Sequence, residues 1–295
     1  MEGVTRVNGV SCTVGESPTW SAEEGAWYWV DIPAKRVWRL DGSTGATRFW
    51  EQSEMVACVA AKKGGGLIAG METGIFGLEL GAAQASVQTK LAAPASGLGE
   101  GMRFNDGRCD RQGRFWSGTM FMDMGAARPV GQLYRYDAAR GISAPMVSDL
   151  ITQNGTAFSP DGRTMYLSDS HPSRRMVWAF DYDIADGVPS GQRVFADLST
   201  YVGRPDGAAV DSEGCYWVCG NDGGVIMRFT PDGKLDRRLD VPMLKPSMCA
   251  FGGKDLDTLL VTSIVSGKPE DAEWGGSVVM LRPGVKGLAE TPFGA

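Results

Sequence analysis

Histidine is almost absent from this sequence. His171 is the only one among 295 residues, so a zinc site built from several imidazoles is excluded. A Ser-His-Asp triad would have to use His171, and no G-x-S-x-G elbow accompanies it. The segment Ser168-Asp-Ser-His-Pro172 reads as a loop, with His171 at its surface or rim. Long apolar runs are missing too. No stretch approaches the ~18 consecutive apolar residues of a membrane span. Met1 to Val10 contains no apolar core of a secretion signal. Basic runs are also missing: 29 Lys and Arg stand against 35 Asp and Glu, for a net charge of −6. That balance argues against nucleic acid or an anionic membrane as partner. The expectation is a cytoplasmic protein whose six cysteines are reduced and buried. The sequence leaves the oligomeric state open.

The 3.6-residue apolar period of a long helix is missing as well. In its place are 41 glycines, nine tryptophans and short apolar runs broken by turns, the pattern of an all-β chain. The runs repeat. Asn154 to Ser159, a Pro-Asp-Gly turn and Arg163 to Ser168 match Asp206 to Asp211, a Ser-Glu-Gly turn and Cys215 to Cys219. Asn105 to Asp110 and Glu16 to Ser21 open two further copies, and Val56 to Ala61 and Ser247 to Gly252 open weaker ones. Aligned at Ser21, Ala61, Asp110, Ser159, Asp211 and Gly252, the copies are 40, 49, 49, 52 and 41 residues apart. That is the period of a propeller blade. The fold expected is a six-bladed β-propeller, all-β, with four-stranded blades around a central channel, forming a single domain over residues 1–295. The first strand of each copy should be innermost. Val4 to Val14 should pair into the last blade and close the ring.

The functional residues share a phase. Five positions before the alignment point stand Glu16, Asn105, Asn154 and Asp206. Rotation about the propeller axis brings equivalent positions to one mouth of the channel, and carboxylate and amide oxygens there suit a divalent cation. Asn-Gly and Asp-Gly also serve as turn dipeptides. Here the turns are already supplied by Pro160-Asp-Gly162, Ser212-Glu-Gly214 and Arg111-Gln-Gly113, and Glu16 is a poor turn residue. Arg103, two residues before Asn105, faces the same side of its strand. Two uses are open to it: binding substrate oxygen, or an internal salt bridge to Asp106 or Asp123.

These residues resemble the regucalcin family, also called the senescence marker protein or gluconolactonase family. The likeness is carried in order by Gly15-Glu-Ser-Pro18, Arg103-Phe-Asn-Asp-Gly107, Gly118-Thr-Met120, Asn154-Gly155, Ala179-Phe-Asp-Tyr-Asp183, Pro205-Asp-Gly207, Cys249-Ala-Phe-Gly-Gly253 and Gly284-Val-Lys-Gly287. The resemblance implies one divalent metal ion held by Glu16, Asn154 and Asp206, with calcium or zinc foremost and magnesium, manganese or iron as further candidates. It implies Asp206 as general acid and base. It also implies substrate contacts from Arg103 and Asn105, and from Asp123 in the place of a glutamate that some members carry. The activity implied is metal-dependent hydrolysis of a small sugar lactone, an aldonolactone, to the open-chain acid. The alternatives are another metal-dependent esterase or phosphotriesterase on the same scaffold, or a calcium-binding propeller that is not an enzyme.

Overall fold

The computed structural model describes residues 3–295. Six antiparallel sheets form a ring, and each runs outward from an innermost strand. The innermost strands of blades 1 to 6 are Gly15–Ser21, Val56–Ala61, Met102–Cys109, Gln153–Phe158, Arg204–Val210 and Pro246–Gly252. All six are the segments expected from the repeat. They are almost wholly buried and thin in bulk, as in Gly155-Thr-Ala157 and Gly207-Ala-Ala209, because six of them crowd around one axis. Apart from three single-turn 3₁₀ segments, the described residues contain no helix.

The ring closes as expected. Thr5–Arg6 pairs antiparallel with Val279–Leu281, which places the N-terminal segment outermost in blade 6. Val7 N donates to Val278 O at 2.8 Å and Cys12 N to Gly276 O at 2.8 Å, extending this clasp. One blade departs from four strands. In blade 3 the outer edge is split, and both Gly141–Ile142 and Val147–Leu150 pair with Gly131–Asp137.

The residues that recur at the alignment point hold the turns at the far end of the channel. Asp211 Oδ1 accepts from Glu213 N and Cys215 N, while Oδ2 accepts from Trp217 Nε1 and Arg228 Nε, each at 2.8 to 3.0 Å. Asp110 repeats the device on Gln112 N, Arg114 N and Arg114 Nε. Both aspartates are fully buried, and a buried carboxylate is tolerable because several donors satisfy it at once. The six cysteines are free and buried. Cys219 and Cys249 belong to the apolar contact between blades 5 and 6.

Candidate active site at one mouth of the channel

Every innermost strand is interrupted at the same place. Register shifts fall between Glu16 and Thr19, Val56 and Cys58, Phe104 and Gly107, Asn154 and Ala157, Pro205 and Ala208, and Pro246 and Cys249. In each case the inner strand advances one residue more than its partner, which defines a β-bulge; such a bulge bends the strand and re-aims a side chain. Left-handed backbone at Ser17 (φ 51°) and Gly155 (φ 62°) accommodates two of the bends. The bulges coincide with the phase of Glu16, Asn105, Asn154 and Asp206. These side chains therefore leave the regular pleat and turn into the channel mouth.

There they line one cavity of about 250 Å³, together with Arg103. At the same phase Val56 is buried in the apolar core between blades 1 and 2, and Ser247 Oγ bonds Gly15 O and Thr262 Oγ1. Four of the six blades thus turn a carboxylate or amide into the cavity at this phase. Asp123 is not brought to the cavity. Its Oδ1 accepts from Gly125 N at 3.0 Å and caps the turn that carries Met124 into the lining. Met120 joins Met124 as apolar wall, while Met122 is exposed. His171 lies at the rim, with Nε2 3.2 Å from Met124 O.

The two asparagines are not equivalent. Asn105 Oδ1 accepts from Arg103 Nη1 at 2.7 Å, and its Nδ2 donates to Gln153 O at 2.7 Å. Asn154 Nδ2 donates to Ser170 Oγ at 2.8 Å, and Ser170 Oγ donates onward to Pro205 O at 2.5 Å. Asn154 Oδ1 is buried and has no protein partner. A buried amide oxygen so placed calls for an ion or a water. Burial pushes the Glu16 carboxyl well above its ordinary range, with repulsion from Asp206 and Asp106 adding to it. Burial also raises Asp206, against the pull of Arg204 and the hydrogen bond from Asn221. Two carboxylates that resist ionisation together, beside an unsatisfied amide oxygen, form a donor set that fits a hard divalent cation. Among the described residues no three His, Cys, Asp or Glu side chains form such a cluster; the set here depends on an amide.

Arg103 makes no salt bridge to Asp106 or Asp123. Its Nη1 bonds only Phe104 O and Asn105 Oδ1, and burial lowers its guanidinium to about 10, so it stays charged at neutral pH. A cation held this way, without a paired carboxylate, is available to a ligand.

Sequence reasoning missed Asn221, whose Nδ2 donates to Asp206 Oδ2 at 2.6 Å. A signal existed. Asp31, Asp169 and Asn221 each stand fifteen residues after the phase position of their blade. Asp31 accepts from Thr13 N and Val14 N, and Asp169 accepts from Ile151 N and Thr152 N. In blade 5 an amide replaces that carboxylate and turns to Asp206 instead.

Fold and site together define a six-bladed propeller with a carboxylate-amide pocket at one mouth of its channel. The chain matches the family description "SMP-30/Gluconolactonase/LRE-like region" over residues 14–265 and belongs to that family. It is 38% identical over 285 residues to the 6-deoxy-6-sulfogluconolactonase of Pseudomonas putida, covering 95% of this chain and 94% of that one. It is 34% identical to a pentonolactonase of Haloferax volcanii, covering 88% and 84%. The crystal structure of a calcium-binding protein, regucalcin, from Agrobacterium tumefaciens superposes with a TM-score of 0.88 at 26% identity, covering 99% of this chain and 97% of that one.

Proposed function

We propose that the protein hydrolyses a small sugar lactone to its open-chain acid. The observation that carries this reading is the meeting of Glu16, Asn154 and Asp206 in one cavity with an unpaired, half-buried Arg103. The names of the two lactonase relatives support the reaction class.

Glu16, Asn154 and Asp206 would hold one divalent cation, calcium or zinc before magnesium, manganese or iron. When bound, such an ion supplies Lewis-acid polarisation of an ester. The remaining work falls to the chain. Arg103, held by Asn105, donates to the carbonyl or hydroxyl oxygens of the lactone and stabilises negative charge as it develops. Asp206 takes a proton from the attacking water as the water oxygen bonds to the acyl carbon. The bond from acyl carbon to ring oxygen then breaks, and the proton passes from Asp206 to the departing alkoxide. Asn221 keeps Asp206 Oδ2 fixed and leaves Oδ1 for this transfer. Met120 and Met124 give the sugar an apolar wall and reduce the water around the ester.

The test is proton release on a panel of aldonolactones, before and after chelation and with single divalent ions restored. Phosphotriesters and simple esters serve as comparison substrates. Asp206→Ala should abolish turnover, and Arg103→Ala should chiefly raise KM. Cation binding without hydrolysis of any ester would replace this reading with that of a calcium-binding propeller. Preference for phosphotriesters would move it to another hydrolase.

A further inference from the structure

A second tier of side chains lies above the first. Two residues before the phase position the blades carry Val14, Glu54, Arg103, Thr152, Arg204 and Lys245. Alternation puts these on the same side of their strands as the residues below them, and all but Glu54 line the cavity. Glu54 is turned away, accepting from Thr73 N and Thr73 Oγ1. The tier therefore presents three cations to the cavity and no carboxylate of its own.

One acid is ion-paired with them, while Asp206 and Glu16 on the floor below feel the charges of Arg204 and Arg103. Asp222 Oδ2 is 2.8 Å from Arg204 Nε, and its Oδ1 is 3.2 Å from Lys245 Nζ. Arg204 and Lys245 form no other ion pair among the described residues, and Arg103 forms none. Arg204 and Lys245 against Asp222 leave an excess of one positive charge on the blade 5 and 6 side of the mouth, while Arg103 stands across the channel on blade 3. Arg204 and Lys245 keep 13% and 25% side-chain exposure, so they are neither sealed in the core nor free in solvent. Charges at a low-dielectric rim attract an oppositely charged ligand more strongly than exposed ones do.

We propose that this upper tier, with Lys245 and Arg204 as specificity residues, binds an anionic oxyacid group on the substrate at the end remote from the lactone carbonyl. The inference rests on the lactonase reading and narrows its substrate to acidic sugar lactones. The carboxylate-amide floor acts on the ester, and the tier above holds a sulfonate, phosphate or carboxylate carried on the far carbon.

The test compares gluconolactone with its 6-sulfonate, 6-phosphate and 6-carboxylate counterparts, in native protein and in Lys245→Met. Lys245 has no hydrogen bond or ion pair to Asp206 or Asn221, whereas Arg204 Nη2 donates to Asn221 Oδ1 at 3.0 Å. Lys245→Met is therefore the cleaner variant. One charged hydrogen bond corresponds to about tenfold or more in affinity. The expected result is a KM for one anionic lactone about tenfold below that of the neutral one. That advantage should be lost in Lys245→Met, the KM of the anionic lactone rising to about that of the neutral one, and should shrink as salt rises. The ranking of the three acids identifies the group. Equal use of neutral and anionic lactones, unmoved by Lys245→Met, overturns this inference and leaves the lactonase reading standing. If no lactone is hydrolysed, the lactonase reading fails. Calorimetry with gluconate and its 6-phosphate and 6-sulfonate then reads the tier directly: tighter anion binding lost in Lys245→Met supports it, and equal or no binding overturns it.

Discussion

Asn221 donates to Asp206 Oδ2 at 2.6 Å and itself accepts from Arg204 Nη2 at 3.0 Å. The amide thus takes its orientation from Arg204 and imposes one on Asp206. Outer partners of this kind typically change activity or ion affinity by about 10- to 100-fold when removed. Asn221→Ala should lower kcat within that range while the protein stays folded. Asn221→Asp, which sets two acceptors face to face, should be at least as damaging. Native kcat in Asn221→Asp would show that Asp206 needs no such orientation.

Asn154 and Asn105 share a phase and differ in what their oxygens do. Losing one ligand oxygen should weaken cation binding by about tenfold or more, about 1.4 kcal/mol. Calorimetric titration with calcium and with zinc should show this loss for Asn154→Ala and its recovery in Asn154→Asp. Asn105→Ala should leave cation affinity near the native value and raise KM by releasing Arg103. Equal losses of cation affinity in the two alanine variants would overturn the division of labour.

The blades were legible because each is one copy of a strand-turn-strand unit, and turns must be written in glycine and aspartate. Gly113, Gly162 and Gly214 adopt positive φ at the ends of three such hairpins, so their spacing carries the period. The shared phase of Glu16, Asn154 and Asp206 was legible for the same reason. The bulges were not, since the inner strands are buried on both faces and show no polar alternation for an extra residue to break. Asn221 was hidden because it belongs to the second strand, whose pattern is dominated by core packing. Arg204 and Lys245 are legible as charges, but only the folded chain shows that both face the pocket. The split edge of blade 3 rests on the segment from Ala138 to Met146, which no repeat predicts.

At the other end of the channel Arg108 reaches across three blades. Its Nε donates to Thr156 O, its Nη2 to Ala208 O, and its Nη1 pairs with Glu290 of the C-terminal segment. Arg108 is buried and Glu290 nearly so, and removing one member of such a pair leaves an uncompensated charge. Asp106 also faces Arg108, so Glu290→Ala should cost about 3 kcal/mol, the low end for a broken buried pair. The change should appear as a lower urea midpoint at constant slope. Activity per folded molecule should hold, because the pocket is at the opposite mouth. A midpoint within error of the native value would mean that Asp106 and the two carbonyls suffice for the guanidinium.

Burial also sets the behaviour of the thiols. Cys12 and Cys58 are both pushed up to about 12 from an ordinary value near 9, chiefly by desolvation. The fold favours the protonated thiol, so this stabilisation is fully present below the unfolded value and is lost as pH climbs from there toward the folded one. Titration of the thiols should therefore leave stability independent of pH near neutrality and should erode it on the alkaline side above about pH 9. A thiolate is the reactive form, so the native protein should resist a disulfide reagent at about pH 8, while the denatured chain should titrate rapidly. The denatured count should be six, since all the cysteines are free. Rapid reaction of Cys58 in the native state would show that blades 2 and 3 open locally, because Cys58 is packed with Phe104 and lies 3.2 Å from Ser117 Oγ.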